Sequence, residues 1–94
     1  MAGGEQRVDK WLFFARVVKS RSLAQKLTLD GAVRLNREKI DQAAQLVKTG
    51  DVLTMKLERG VVVWRVLLPG KRRGPAEEAR TLYEDLTTRE EPPA

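Results

Sequence analysis

Apolar positions between Arg7 and Lys19 recur at Val8, Trp11, Leu12, Ala15 and Val18, the spacing of one helix face, with Asp9, Lys10 and Arg16 around the other. Phe13 and Val17 fall outside this stripe and are expected to pack beneath the C-terminal segment. Lys19-Ser20-Arg21-Ser22 breaks the pattern, and Ser20 or Ser22 can accept the free backbone N–H groups that open a second helix. This helix is shorter, from about Arg21 to Leu29, with Leu23, Ala24 and Leu27 clustered on it. Gly31 stands where a left-handed C-terminal cap is wanted.

Beyond Gly31 the period falls to two. Val33-Arg34-Leu35-Asn36 alternates as a strand with Arg34 and Asn36 outward, Arg37-Glu38-Lys39 turns the chain towards Ile40, and Asp41 to Leu46 reads as loop. Lys48-Thr49-Gly50-Asp51 is a turn into a strand from Val52 to Leu57 whose Leu53, Met55 and Leu57 share a face. Glu58-Arg59-Gly60 signals a hairpin, and Val61 to Leu68 is a third strand, rich in β-branched residues and closed by Pro69-Gly70. Trp11 and Trp64 both sit on apolar faces and are expected in the core. After the basic loop Lys71-Arg72-Arg73-Gly74, Pro75 opens a last helix with Glu77 and Glu78 at its positive end, running through Leu82, Tyr83 and Leu86. Residues 1 to 6 and Thr87 to Ala94 read as disordered ends.

The pattern predicts an α+β domain over residues 7–68, two N-terminal helices packed on a small, mostly antiparallel sheet. Residues 69–94 follow as basic loop, C-terminal helix and tail. Ninety-four residues suffice for one domain with a single modest core.

Charge adds direction to this picture. The chain has 18 Lys+Arg, 13 Asp+Glu and no His, for a net charge of +5 and a pI near 10.0, a balance suited to a polyanionic partner. Nine basic and three acidic residues fall between Arg7 and Lys39, so this third of the chain carries +6, more than the whole. The absence of cysteine removes disulfides, thiolate zinc sites and thiol nucleophiles, and fits a reducing compartment. The longest apolar run falls far short of the roughly 20 residues that span a bilayer, so the reading is a soluble, cytoplasmic protein without membrane attachment.

Catalysis has little to work with. Without His or Cys the common acid–base and nucleophile arrangements are missing, and Ser20 and Ser22 have no base other than lysine. The carboxylate pairs Glu77-Glu78, Glu84-Asp85 and Glu90-Glu91 are adjacent along the chain and read as solvated surface. No glycine-rich phosphate loop occurs, and neither a metal nor a cofactor is expected.

Nucleic-acid binding uses more of the sequence. Arg7, Lys10, Lys19, Arg21 and Lys26 can lie on the solvent side of the helix pair, and Arg34 and Asn36 extend that side onto the strand. The helix start at Ser20, flanked by Lys19 and Arg21, suits a phosphate. The second helix is too short to be a persuasive major-groove reader, whereas a helix pair beside a sheet suits folded RNA. Phe13 is either a stacking platform for an unpaired base or a packing residue.

The run RVDKWLFFARVVKSRSLAQKLTLDGAVRLN, followed by Leu46-Val47-Lys48-Thr49-Gly50-Asp51-Val52-Leu53, resembles the RNA-binding domain named after ribosomal small-subunit protein S-four, the alpha-L motif. Four motifs of that family, Arg-Leu-Asp-Lys, Ser/Thr-Arg-x-x-Ala, Gly-x-Val-x-Val-Asn-Gly and a Val-Lys-x-Gly-Asp turn before a strand, have counterparts in order across residues 7 to 57, at Arg7-Val8-Asp9-Lys10, Ser20 to Ala24, Gly31 to Arg37 and Val47 to Asp51. Lys71-Arg72-Arg73-Gly74-Pro75-Ala76-Glu77-Glu78-Ala79 with Leu82-Tyr83-Glu84 is similar to the segment that follows this domain in the heat-shock protein fifteen family of bacterial ribosome-associated proteins. That resemblance implies binding to ribosomal RNA of the large subunit, together with transfer RNA, in recycling of subunits blocked by a nascent chain, and the chain is expected to act as a monomer.

On this reading Arg7, Lys10, Lys19, Arg21, Lys26 and Arg34 contact phosphates, Ser20 the turn phosphate, and Asn36 a sugar or base edge. Asp9 orients a neighbouring basic side chain, and Lys71, Arg72 and Arg73 form a second contact. The family's Asn-Gly turn is Asn36-Arg37 here, which predicts a wider or a strained hairpin. Asp41-Gln42-Ala43 stands where Lys-Pro-Ser is common, an acid in place of a base. The 94 residues also lack the family's long basic C-terminal extension, which bears on rescue more than on RNA binding. Two other readings stay open: a protein-interaction adaptor contacting through Phe13, Val17 and Tyr83, and the RNA-targeting piece of a modifying enzyme supplied in trans.

Overall fold

The computed structural model describes residues 5–87, so the expectations for residues 1–4 and 88–94 lie outside the described residues. In chain order the elements are β1 (Gln6–Arg7), α1 (Val8–Phe14), α2 (Arg21–Leu29), β2 (Val33–Leu35), β3 (Glu38–Lys39), β4 (Leu46–Val47), β5 (Val52–Leu57), β6 (Gly60–Val66), α3 (Ala76–Ala79), a 3-10 turn (Arg80–Leu82) and β7 (Tyr83–Asp85). Five strands form one antiparallel sheet in the order β3-β2-β5-β6-β7, and β1 pairs with β4 separately. The mixed α+β fold is as the sequence predicts. The helix pair covers the sheet face that carries Val33, Leu53, Met55, Trp64 and Val66, and buries Val8, Trp11, Leu12 and Ala24 against it.

Helix α1 is shorter than its apolar periodicity predicts. Arg16 adopts φ 65°, its N–H donates to Phe13 O at 3.1 Å, and Val17 N–H donates to Leu12 O at 2.9 Å, which together make a Schellman stop. The same motif ends α2, where Gly31 has φ 79° and Ala32 N–H reaches Leu27 O at 3.1 Å. Gly31 announces its stop in the sequence and Arg16 does not.

Three further expectations are corrected. Leu46 does not belong to a loop: it opens β4, which pairs with Gln6 and Arg7 while the preceding Ala43 and Gln45 carbonyls accept the N–H groups of Asp9 and Val8. Gln6 is accordingly ordered, and its side chain clasps Gly70 by two bonds, Nε2 to the carbonyl at 2.8 Å and Oε1 from the N–H at 2.9 Å. The last helix is a single turn plus a 3-10 turn, after which Tyr83–Asp85 joins the sheet edge beside β6. There the Tyr83 ring stacks on Trp64 at 3.5 Å, and Trp64 meets Trp11 edge-on at 6.5 Å. Trp11 and Trp64 are both buried, as expected.

The Asn36-Arg37 turn is not widened. Leu35 pairs with Glu38, so only two residues connect the strands, and both have positive φ, 52° and 78°, as a type I′ turn requires. Strain is therefore held at Arg37, where a glycine would rest without it.

Candidate nucleic-acid interface

The centre of the basic face is an acid. Asp9, in the first turn of α1, has no solvent exposure, and four groups converge on its carboxylate. Arg7 binds it through Nε to Oδ1 at 3.1 Å and Nη2 to Oδ2 at 3.0 Å. Arg21 Nη2 and Gln25 Nε2, both from α2, donate to Oδ2 at 3.2 and 3.1 Å, and Lys10 N–H donates to Oδ1 at 2.8 Å. Burial pushes the Asp9 carboxyl up, but hydrogen bonds from Arg7, Gln25 and Arg21 and the Arg7 charge outweigh it, leaving the group below its ordinary value. One buried charge thus holds two guanidiniums side by side across the α1–α2 junction, with 44% and 40% of their side-chain surfaces still facing solvent. Sequence reading anticipated that Asp9 orients a basic neighbour; that it meets two, with Gln25 beside them, was missed. Gln25 stands four residues after Arg21, one turn along the same helix face, and that spacing was its only signal.

Ser20 caps α2. Its Oγ accepts the Leu23 N–H at 3.2 Å, so this helix start is not an uncapped set of donors, although the hydroxyl hydrogen stays available to a phosphate oxygen. Lys10, Lys19 and Lys26 are exposed, and Lys26 pairs with Asp30 at 3.5 Å one turn on.

Arg34 and Asn36 do not join this group as expected. Val33 and Leu35 face the helices, so the alternation of β2 sends Arg34 to the opposite side of the sheet, opposite Thr54 and Lys39. Asn36 is fixed at the hairpin tip, where Nδ2 donates to Asp51 at 3.1 Å and Oδ1 accepts the Val52 N–H at 2.9 Å. Asp51 also accepts Lys48 N–H at 3.0 Å, so the amide ties two turns together.

The loop of Lys71, Arg72 and Arg73 lies beside the end of α1. Arg16 Nη1 donates to Gly74 O at 2.8 Å, Arg73 Nη2 donates to Val18 O at 3.4 Å, and the Arg73 guanidinium lies 5.3 Å above the Phe13 ring. Phe13 therefore meets this loop. Arg72 is engaged by Glu78 at 2.6 Å and Lys71 is exposed. Among the described residues, no helix is long and apolar enough to cross a membrane.

An α+β domain with a cationic helix pair and these four motifs defines a class, and the match to the S4 domain model over residues 6–53 assigns it: the chain belongs to the S4 domain family. Within that family it is homologous to heat shock protein 15. It is 36% identical to heat shock protein 15 of Escherichia coli over 84 residues, which are 86% of this chain but 60% of the longer relative. It is 34% identical to the RQC P-site tRNA stabilizing factor of Halalkalibacterium halodurans, covering 92% of this chain and 93% of that protein. The fold superposes on the trimeric structure of Vibrio cholerae heat shock protein 15 with a TM-score of 0.81 and 31% identity, over 86% of this chain and 81% of that one.

Proposed function

We propose that this protein is a non-catalytic RNA-binding module that docks on structured ribosomal RNA of the large subunit, in ribosome recycling or stalled nascent-chain rescue. The observation that carries this reading is the Asp9 clamp, which presents Arg7 and Arg21 together, already oriented, on the most cationic third of the chain. Arg7, Lys10, Lys19, Arg21 and Lys26 contact phosphates, with the Ser20 hydroxyl donating at the turn between them. Lys71 with Arg73 prolongs this track past the end of α1, and Arg72 joins it on leaving Glu78. Arg34 and Asn36 touch RNA only where a strand wraps round the β2–β3 tip. The name of one relative, the RQC P-site tRNA stabilizing factor, supports the ribosomal setting and extends the proposed partners to transfer RNA.

The test is sedimentation of lysate on sucrose gradients at low and moderate salt, with and without ribonuclease, for the native chain and an Arg7→Gln/Arg21→Gln variant. Co-migration with the large subunit that is lost on nuclease treatment and in the folded variant is the expected result. A protein that stays at the top of every gradient overturns ribosome docking. Unchanged migration of the variant overturns the site, and a nuclease-resistant association moves the reading to a protein adaptor.

A further inference from the structure

Beside the basic face, α2 and the β5–β6 hairpin enclose a groove of about 610 Å³. Its apolar lining is aliphatic throughout: Val17, Val18, Leu23, Leu27 and Leu57. Leu23 is 45% exposed in it, an apolar side chain on a regular helix that no described element covers. The rim carries Lys19, Lys26, Lys56 and Arg59 against Asp30 and Glu58. Lys26 is paired with Asp30, and among the described residues Lys19, Lys56 and Arg59 have no ion pair.

We propose that this groove docks an amphipathic helix of a partner protein, one with aliphatic anchors at i, i+3 or i+4 and i+7 and acidic residues along its flanks. The aliphatic floor takes the anchors and the unpaired rim cations meet the acids, the pattern of helix-in-groove recognition. An unpaired nucleotide is the poorer occupant. Base sites rely on aromatic stacking and hydrogen bonds to base edges, and the lining offers no aromatic ring and no amide or hydroxyl side chain. Lys19 and Lys26 border both this groove and the proposed RNA track, so a docked helix and RNA meet along one edge. The groove stands on its own geometry and does not depend on the RNA reading.

Titration of the ¹⁵N-labelled full chain tests it, with a synthetic peptide that places leucines at that spacing and glutamates on both flanks. A scrambled peptide of equal composition and a single-stranded uridine-rich oligonucleotide serve as comparisons. Saturable shifts of the Leu23, Leu27 and Leu57 amides with the patterned peptide alone are expected. Leu23→Glu should weaken binding about tenfold or more, its half-exposed position keeping the fold intact. Lys56→Glu/Arg59→Glu, on exposed side chains, should weaken it and flatten its salt dependence. Equal binding of the scrambled peptide, indifference to both variants, or saturation of the groove by the oligonucleotide instead would each overturn the proposal.

Discussion

Asp9 gives up water completely, and what it receives in return is a set of donors from three stretches of chain. Because its folded value lies below the ordinary carboxylate range, its contribution to stability is fully present above about pH 4 and is lost as pH falls through that lower folded value. Asp9→Asn keeps the size but removes the charge that Arg7 and Arg21 need. The variant should be about 2 kcal/mol less stable at neutral pH, and its urea midpoint should converge with that of the native chain in acid, where the native carboxyl is also neutral. Curves that stay parallel down to the lowest pH would mean the clamp adds no linked stability. The same reasoning separates Asp9 from the surface Arg72–Glu78 pair, where Arg72 lowers the Glu78 carboxyl while both side chains stay open to solvent, so the bond contributes little.

At the scale of elements, both unusual stops fall on arginine. Arg37 occupies the second position of the type I′ turn with φ 78°, and its side chain is exposed. Arg37→Gly should raise stability by about 1 kcal/mol, read as a higher thermal midpoint, because the left-handed strain goes and the two-residue register remains. An unchanged or lower midpoint would place the strain elsewhere. These positions also mark the limit of what the sequence discloses. Helix and strand periods located α2, β2, β5 and β6, and Gly31 marked its helix end, since each signal is local. The end of α1 was illegible because a left-handed arginine leaves no glycine behind, and the carbonyl that its side chain meets there, Gly74 O, lies far along the chain. Residues 83–85 read as helix because the leucines and tyrosine suit either period. The sheet edge and the Trp64 ring, neither adjacent in sequence, decide for strand. Arg34 was assigned to the wrong side of the sheet for the same reason, its outward direction being legible and the location of the helices not.

Across the whole molecule the cations are thus divided, with Arg7, Lys10, Lys19, Arg21 and Lys26 around the helix pair and Arg34 behind the sheet. This division predicts unequal salt dependence of RNA binding. Arg7→Gln/Arg21→Gln should reduce the slope of log affinity against log salt by roughly 1 to 2, as two released counterions require, whereas Arg34→Gln should leave the slope nearly unchanged. Fluorescence anisotropy with a large-subunit RNA fragment over a salt series measures both. Equal loss from Arg34 would mean that the RNA wraps the sheet edge.

The clasp between Gln6 and Gly70 joins positions 64 apart in the sequence, and Trp11 Nε1 reaches Leu68 O at 2.9 Å across a similar span. The arginine nearest the start of the domain is therefore set in place by chain that leaves the ribosome much later. During synthesis the first helices emerge with their cations but without the backbone anchors that seat β1 and α1. The finished cationic face becomes available when residues 68–70 arrive, which couples its assembly to completion of the fold.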